Sequence, residues 1–239
     1  MTKIDNLAFI LYSHSSLKWI WNAFTGEAEK YFPIDCNKYF FGDIEFENNV
    51  NYKNIIYKNT DPYAKRLRDC LQEVEEDYVL IHHEDMIFYD DVDMEQFEYY
   101  YEILKANEEF SYIKLLRGGV SPTQPVLQFF NGIFNLQDDE QYRFAVQPAI
   151  WRKSHLLKIL NDCINNNIYE MEEISSKYMI ENKYKCLFAW NISEDKKRGM
   201  YHWDNCRYPF IATALCKGKW NDSEYDIEIE NIKREYGLT

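Results

Sequence analysis

Apolar residues along this chain fall into short β-prone runs separated by stretches that repeat at three and four residues, the pattern of strands alternating with helices. Leu7-Ala8-Phe9-Ile10-Leu11 is strand length, and Tyr12-Ser13-His14-Ser15-Ser16 is the polar loop at its end. Leu17, Ile20, Trp21 and Phe24 then repeat as one helix face, with Gly26 at its predicted close. Ile55-Ile56-Tyr57 reads as the second strand, and Asn59-Thr60-Asp61-Pro62 offers an N-cap and a first-turn proline. The helix that follows is the clearest in the chain. Tyr63, Leu67, Cys70, Leu71 and Val74 share a face, while Lys65, Arg68, Asp69 and Glu76 lie largely elsewhere. It leads into Tyr78-Val79-Leu80-Ile81, a continuous run that suits a central strand covered on both faces.

Further along, Asp93 is placed to cap a helix through Met94, Phe97, Tyr101 and Leu104, and Tyr112 to Leu116 reads as a strand ending at Gly118-Gly119. Residues 120–140 are less regular, a hairpin or a long loop. Phe144 to Trp151 is a strand that Pro148 breaks or displaces to an edge. A helix from Ser154 to Cys163, a helix near Glu172 to Glu181, a strand at Cys186 to Trp190, the aromatic Tyr201-His202-Trp203 and a final helix within the tail from Asp222 complete the pattern. The alternation implies one α/β domain over residues 1–239, a mixed sheet flanked by helices.

Composition narrows the partners. Aromatics are 17% of the chain and hydrophobic residues 46%, which describes a packed protein rather than a disordered one. A formal charge of -13 argues against broad binding to nucleic-acid backbone or anionic membrane, both of which need clustered Lys and Arg. No run approaches the length of a membrane-spanning helix, and Met1 to Asn6 runs straight into the first strand without a charged-then-apolar leader. Six scattered cysteines form no C-x-x-C pair, so the sequence reads as that of a soluble protein of a reducing cytoplasm.

The most informative chemistry lies where the Tyr78 strand ends, at His82-His83-Glu84-Asp85. Ligands bind beyond the carboxyl ends of such strands, and adjacent acids there must be solvated, paired or metal-bound. A binding site and a solvated turn are the two readings of the acids. The two histidines alternate across the strand and read as packing residues. Glu170, Glu172 and Glu173 cluster at a predicted helix start, where backbone amides favour negative charge.

In order, the Tyr12-Ser13-His14 strand end, Asp61-Pro62-Tyr63-Ala64-Lys65-Arg66-Leu67, Tyr78 to Asp85, Gln147-Pro148-Ala149-Ile150-Trp151, Tyr169-Glu170-Met171-Glu172-Glu173 and Lys217-Gly218-Lys219-Trp220 resemble the nucleotide-sugar-dependent glycosyltransferases of the GT-A fold. The order is similar to that of bacterial and viral enzymes that decorate surface glycans. The resemblance implies a donor-binding half over residues 1–118 and an acceptor-binding half with the tail over 119–239. It implies a nucleotide-sugar donor, a glycan or glycan-lipid acceptor, and a manganese or magnesium ion bridging the diphosphate. Asp85 and His202 are then the expected metal ligands, with Glu84 on metal or sugar hydroxyls, although His83-Glu84-Asp85 departs from the family's Asp-x-Asp. Tyr12, Ser13 and His14 would meet the nucleoside, and Arg66, Lys217 and Lys219 the phosphates. Glu172 matches the glutamate that deprotonates the acceptor in inverting members.

Two rivals come from other classes. A metal-dependent nucleotidyltransferase shares nucleotide-binding α/β architecture but normally has a Gly- and Lys/Arg-rich loop after its first strand, which Ser13 to Leu17 is not. A non-catalytic carbohydrate-binding protein would use the many tyrosines and tryptophans as stacking platforms.

Overall fold

The computed structural model describes residues 2–47, 49–118, 128–137, 142–198, 202–216 and 218–239, with backbone alone at 128–130 and at His202. Nine strands form one mixed sheet: β1 (Thr2–Tyr12), β2 (Ile34–Gly42), β3 (Lys53–Ile56), β4 (Tyr78–His83), β5 (Phe110–Lys114), β6 (Gln128–Phe130), β7 (Ile133–Asn135), β8 (Ala149–Arg152) and β9 (Lys185–Ala189). Their order across the sheet is β3-β2-β1-β4-β8-β5-β9-β7-β6. β1 to β4 run parallel, β8 runs against both β4 and β5, and β9 is parallel to β5. The carboxyl ends of β1, β2, β4, β5 and β9 therefore share one edge. The chain winds outward from β1 through β2 and β3, then crosses back to lay β4 on the other side of β1. That reversal is the topological switch point at which sheets of this kind place a crevice, between the ends of β1 and β4.

Six helices cover the two faces: α1 (Trp21–Tyr31), α2 (Tyr63–Gln72), α3 (Met94–Ala106), α4 (Lys153–Asp162), α5 (Ile168–Glu181) and α6 (Asp226–Tyr236). The period-2 alternation of β1 divides the core. Leu7, Phe9 and Leu11 pack with α1, α3 and α6, while Ala8, Ile10 and Tyr12 pack with α2, α4 and α5. Burial on both faces explains why β1 and β4 read as unbroken apolar runs. The fold is a single Rossmann-like α/β domain with a mixed sheet flanked by helices. Small hairpins β10–β11 (Lys197–Arg198, His202–Trp203) and β12–β13 (Leu215–Cys216, Lys219–Trp220) lie outside the main sheet. No helix among the described residues is long and apolar enough to cross a membrane.

The elements depart from the sequence pattern in four places. β2 is absent from the sequence reading because its first half, Asp35 to Lys38, is polar; it is fixed by hydrogen bonding between β1 and β3 rather than by its own apolar pattern. Asp61 does not cap α2: Pro62 holds the cap position, and Asp61 instead takes Lys65 Nζ at 2.6 Å. β8 begins only after Pro148 and lies inside the sheet, between β4 and β5, with the Pro148 carbonyl accepting from Leu115 N at 2.9 Å. Residues 120–127 and 138–140 of the irregular segment lie outside the described residues; between them β6 and β7 form a hairpin.

The fourth departure is Gly26, which does not end α1 but sits inside it, where α6 crosses. A Cβ there would land on the Tyr236 hydroxyl, with Tyr236 Cζ only 2.9 Å away. Helix propensity favours Gly26→Ala by about 1 kcal/mol, whereas overpacking against a ring typically costs about 1–3 kcal/mol. We expect Gly26→Ala to lower the melting temperature by a few degrees, and Gly26→Ala combined with Tyr236→Ala to relieve the clash component. Thermal denaturation of the two variants checks this; a Gly26→Ala protein more stable than wild type would show that Tyr236 does not seat against α1.

Candidate functional site

The site grows from the register of β1 and β4, which pairs Leu11 with His82 and Tyr12 with His83 and brings both strand ends to one place. Side chains alternate across β4, so its two histidines go to opposite faces. His82 enters the α1/α3 face, its ring stacked 4.9 Å from Phe88. Its Nδ1 lies 3.0 Å from the Met86 carbonyl, which only accepts, so Nδ1 carries the proton and Nε2 accepts from Tyr208 Oη at 2.8 Å. His83 enters the α2 face, stacked 5.3 Å from Tyr12 and hydrogen-bonded through Nε2 to Tyr63 Oη at 2.8 Å. Burial depresses both imidazoles, His82 to about 3 and His83 to about 4, so both are neutral at physiological pH. They pack, as expected, and between them they fix the turn that carries the acids.

That turn is also held from the far side of the chain. Ile211 N donates to Ile87 O at 2.8 Å and Ala214 N to Asp85 O at 2.9 Å, with an antiparallel bridge between Phe88 and Phe210. Glu84 is 6% exposed. Desolvation, then the neighbouring Asp85 charge, push its carboxyl up to about 8; contact with Ser13 acts weakly the other way. Desolvation raises Asp85 to about 6, opposed by backbone N–H groups including that of Leu215. Two adjacent acids held against ionisation form a place where positive charge is wanted.

The loop after β1 is self-contained. Ser13 Oγ accepts from Trp21 Nε1 at 2.6 Å, and the Ser13 carbonyl accepts from Tyr57 Oη at 2.6 Å. Ser15 donates through its N and Oγ to Asp43, each at 2.7 Å, and His14 Nε2 lies 3.4 Å from the same carboxylate. Tyr12 lies beneath the crevice rather than in it. It is 4% exposed and packs on Tyr57, Tyr63 and His83, its hydroxyl without a hydrogen-bond partner.

Arg66 leans over the Tyr57 ring, 4.9 Å from its centroid, and bonds Asn59 at 3.3 Å, while its buried Nε has no partner. α5 starts earlier than the sequence predicts, so of the three acids only Glu170 lies in the first turn, where it closes a capping box with Asn167; Glu173 is exposed, and Glu172 turns inward, its Oε1 accepting from Val146 N at 2.8 Å. Glu172 and Glu84 push the buried Tyr63 hydroxyl up and Arg66 acts to lower it, so all three lie within electrostatic reach of that one group. Burial raises the Glu172 carboxyl, and Lys114 at the end of β5 acts to lower it.

The remaining expectations fall elsewhere. Lys219 is exposed in the β12–β13 hairpin and lines a separate cleft with Trp19, Trp220 and Leu238. Lys217 and the side chain of His202 lie outside the described residues. Among the described residues no three His, Cys, Asp or Glu side chains converge as a metal cluster. The sequence does not single out Asp43, Tyr57, Tyr63, Lys114 or Gln147, which the fold brings near the expected residues. Asp43 follows the unread β2, and Lys114 is 4% exposed on a strand that sequence alone marks as core. Gln147 had a signal, since it precedes Pro148 at a strand entrance. Its Nε2 reaches Ala212 O at 3.5 Å while its buried Oε1 has no partner, and it stands between the chain segments that carry Asp85 and Glu172.

No family model matches the sequence, and no curated protein matches it. Among solved structures, the chain is similar to a cytidylyltransferase from Leptospira borgpetersenii serovar Hardjo-bovis (strain JB197), with 14% identity and a TM-score of 0.50 over 97% of this chain and 95% of that one. It also matches a CMP:2-keto-3-deoxy-manno-octonic acid synthetase complexed with CTP, with 8% identity and a TM-score of 0.49 over 77% of this chain and 89% of that one. At such identities the likeness extends to the fold and no further.

The raised carboxyls give a pH dependence with a definite sign. Glu84 is protonated in the folded chain up to about 8 but ionises near the ordinary glutamate value of 4.5 when unfolded. Its contribution to stability is present at acid pH and is lost as pH rises from 4.5 through 8. In metal-free buffer we expect Glu84→Gln to raise the melting temperature at pH 9 more than at pH 5. An equal shift at both values, measured by thermal denaturation, would mean that Glu84 is solvated in the folded protein.

Proposed function

We propose that this chain is a nucleotide-dependent transferase that moves a sugar from a nucleoside-diphosphate donor onto a hydroxyl of a glycan or glycan-lipid acceptor. The observation that carries the reading is the desolvated Glu84–Asp85 pair at the end of β4, with Arg66 and Glu172 within electrostatic reach of the adjoining Tyr63. In this reading the Arg66 guanidinium, seated over the Tyr57 ring, reaches the diphosphate. The cluster of Tyr57, Ser13, Asp43 and His14 borders the nucleoside. The non-hydrogen-bonded oxygen of Glu172 takes the acceptor hydroxyl's proton as that oxygen attacks the anomeric carbon, giving inversion.

The donor set fits a divalent cation. Asp85 and Glu84 are oxygen ligands held against ionisation, and magnesium or manganese commonly binds through one or two carboxylates plus substrate phosphates rather than a full protein cage. Bound there, the ion would neutralise charge on the departing diphosphate. The binding of a cation beside Asp85 would also draw off the protons that burial retains on the pair.

Nucleotidyl transfer is the second reading. The solved cytidylyltransferase, which matches nearly the whole chain, supports it more directly than it supports glycosyl transfer. The loop after β1 argues the other way. It has no glycine, and the amides of Ser13, Ser15, Ser16 and Leu17 already donate to Phe41, Asp43, His14 and the His14 carbonyl, so they form no cradle for a triphosphate. Product analysis separates the two. Release of a nucleoside diphosphate from a nucleotide sugar supports glycosyl transfer; pyrophosphate release from CTP and a sugar acid would replace it with nucleotidyl transfer, and no turnover at all would favour a binding protein.

Two substitutions test the roles. Asp85→Asn should keep the fold and abolish the manganese-dependent part of nucleoside-diphosphate affinity in calorimetry; unchanged manganese-dependent affinity removes Asp85 from the site. Glu172→Gln should leave donor affinity nearly intact and lower turnover by on the order of a hundredfold or more. Wild-type turnover in that variant, or retained anomeric configuration in the product, would defeat the assignment of a base.

A further inference from the structure

A second cavity opens on the same edge of the sheet, between the start of α3, the β6–β7 hairpin and the turn after β9. It has a volume of about 380 Å³. Three aromatic rings, Tyr100, Phe134 and Trp190, contribute to its wall, and between them stand the amides Gln96, Asn131 and Asn191. Gln96 Nε2 and Trp190 Nε1 are buried donors without a hydrogen-bond partner. Buried donors are rarely left so, and an acceptor presented at this wall would satisfy them after a small rotation of either side chain. The hairpin keeps its approach at Gly132, whose φ of 72° is a left-handed conformation that few other residues adopt readily.

The chemistry of the wall limits the occupant. The charged lining groups, Arg207 and Glu194, lie 3.6 Å apart and offset each other, so the cavity offers no excess charge to a phosphate or a nucleic-acid backbone. Amides both donate and accept, as sugar hydroxyls do, and aromatic rings cover the apolar C–H faces of a pyranose. Phe134 and Trp190 are tilted by 55°, and the Arg117 guanidinium stands 3.9 Å from the Trp190 ring centroid, so these two rings form no parallel slot of the kind that sandwiches a flat base.

We infer that this cavity is a pyranose-binding subsite for a sugar of the acceptor glycan remote from the reacting hydroxyl. The inference rests on the glycosyl-transfer reading for its place in the reaction, though not for its binding chemistry. β9 lies three strands from β4. At the usual interstrand spacing that is about 14 Å, too far for the sugar that accepts the bond and suitable for one further along the same chain.

Saturation-transfer nuclear magnetic resonance on the full chain, without nucleotide or metal, tests it with the methyl pyranosides of glucose, galactose, mannose and N-acetylglucosamine. We expect at least one to receive saturation, with affinity lowered about tenfold by Gln96→Ala, lowered also by Trp190→Phe, which keeps a ring and removes the N–H, and unchanged by Asp85→Asn. Gln96→Ala keeps a good helix former on α3, so folding is preserved. Saturation of none of the four, equal binding by the Gln96→Ala variant, or saturation of cytidine or uridine that Gln96→Ala abolishes would overturn the proposal. Failure of the glycosyl-transfer reading is registered separately, as pyrophosphate release or no turnover, and leaves the pyranoside result standing.

Discussion

The turn after β4 depends on two neutral imidazoles. His82 and His83 emerge on opposite faces of one buried strand, and each meets a tyrosine hydroxyl, Tyr208 on one side and Tyr63 on the other. Because burial keeps both rings uncharged, they act as polar packing residues that anchor the strand end without adding charge to it. Glu84 and Asp85 are therefore the acidic groups that the end of β4 presents, and burial holds both back from ionising.

This arrangement concentrates an electrostatic cost. Two adjacent acids are desolvated and repel each other, and their ionisation is unfavourable until a cation or a ligand donor arrives. A stability-driven design would place an apolar turn there. Rigid support from both faces, together with the 208–214 segment bonded along the loop, is what lets the fold tolerate the cost. The same support gives the acids little freedom to move apart, so relief has to come from what binds.

Elements later in the chain than β4 add further polar groups near the same edge of the sheet. Glu172 comes from α5, Gln147 from the entrance to β8, and Lys114 from the end of β5; these elements are far apart in sequence and meet only because β8 inserts antiparallel between β4 and β5. Beyond them the edge continues to β9, where the cavity beside Trp190 opens. One sheet edge thus carries a charged crevice and a neutral aromatic cavity, two surfaces of different chemistry.

Local patterning determined much of this. The periodicities of α2 and β4, Asp93 as the cap of α3, and the final helix were legible because each is a short-range property of spacing, propensity or hydrogen bonding to near neighbours. Resemblance alone selects Glu172 among the three acids; in the fold Glu170 is engaged in a capping box and Glu173 faces water. What the tertiary structure alone decided depends on neighbours distant in sequence. β2 exists because two strands flank it, Gly26 is needed because Tyr236 crosses it, Tyr12 sinks beneath the crevice because three rings surround it, and β8 lies inside the sheet because β4 and β5 both pair with it. None of these constraints leaves a local mark, since each arises from a partner chosen only when the chain has closed on itself.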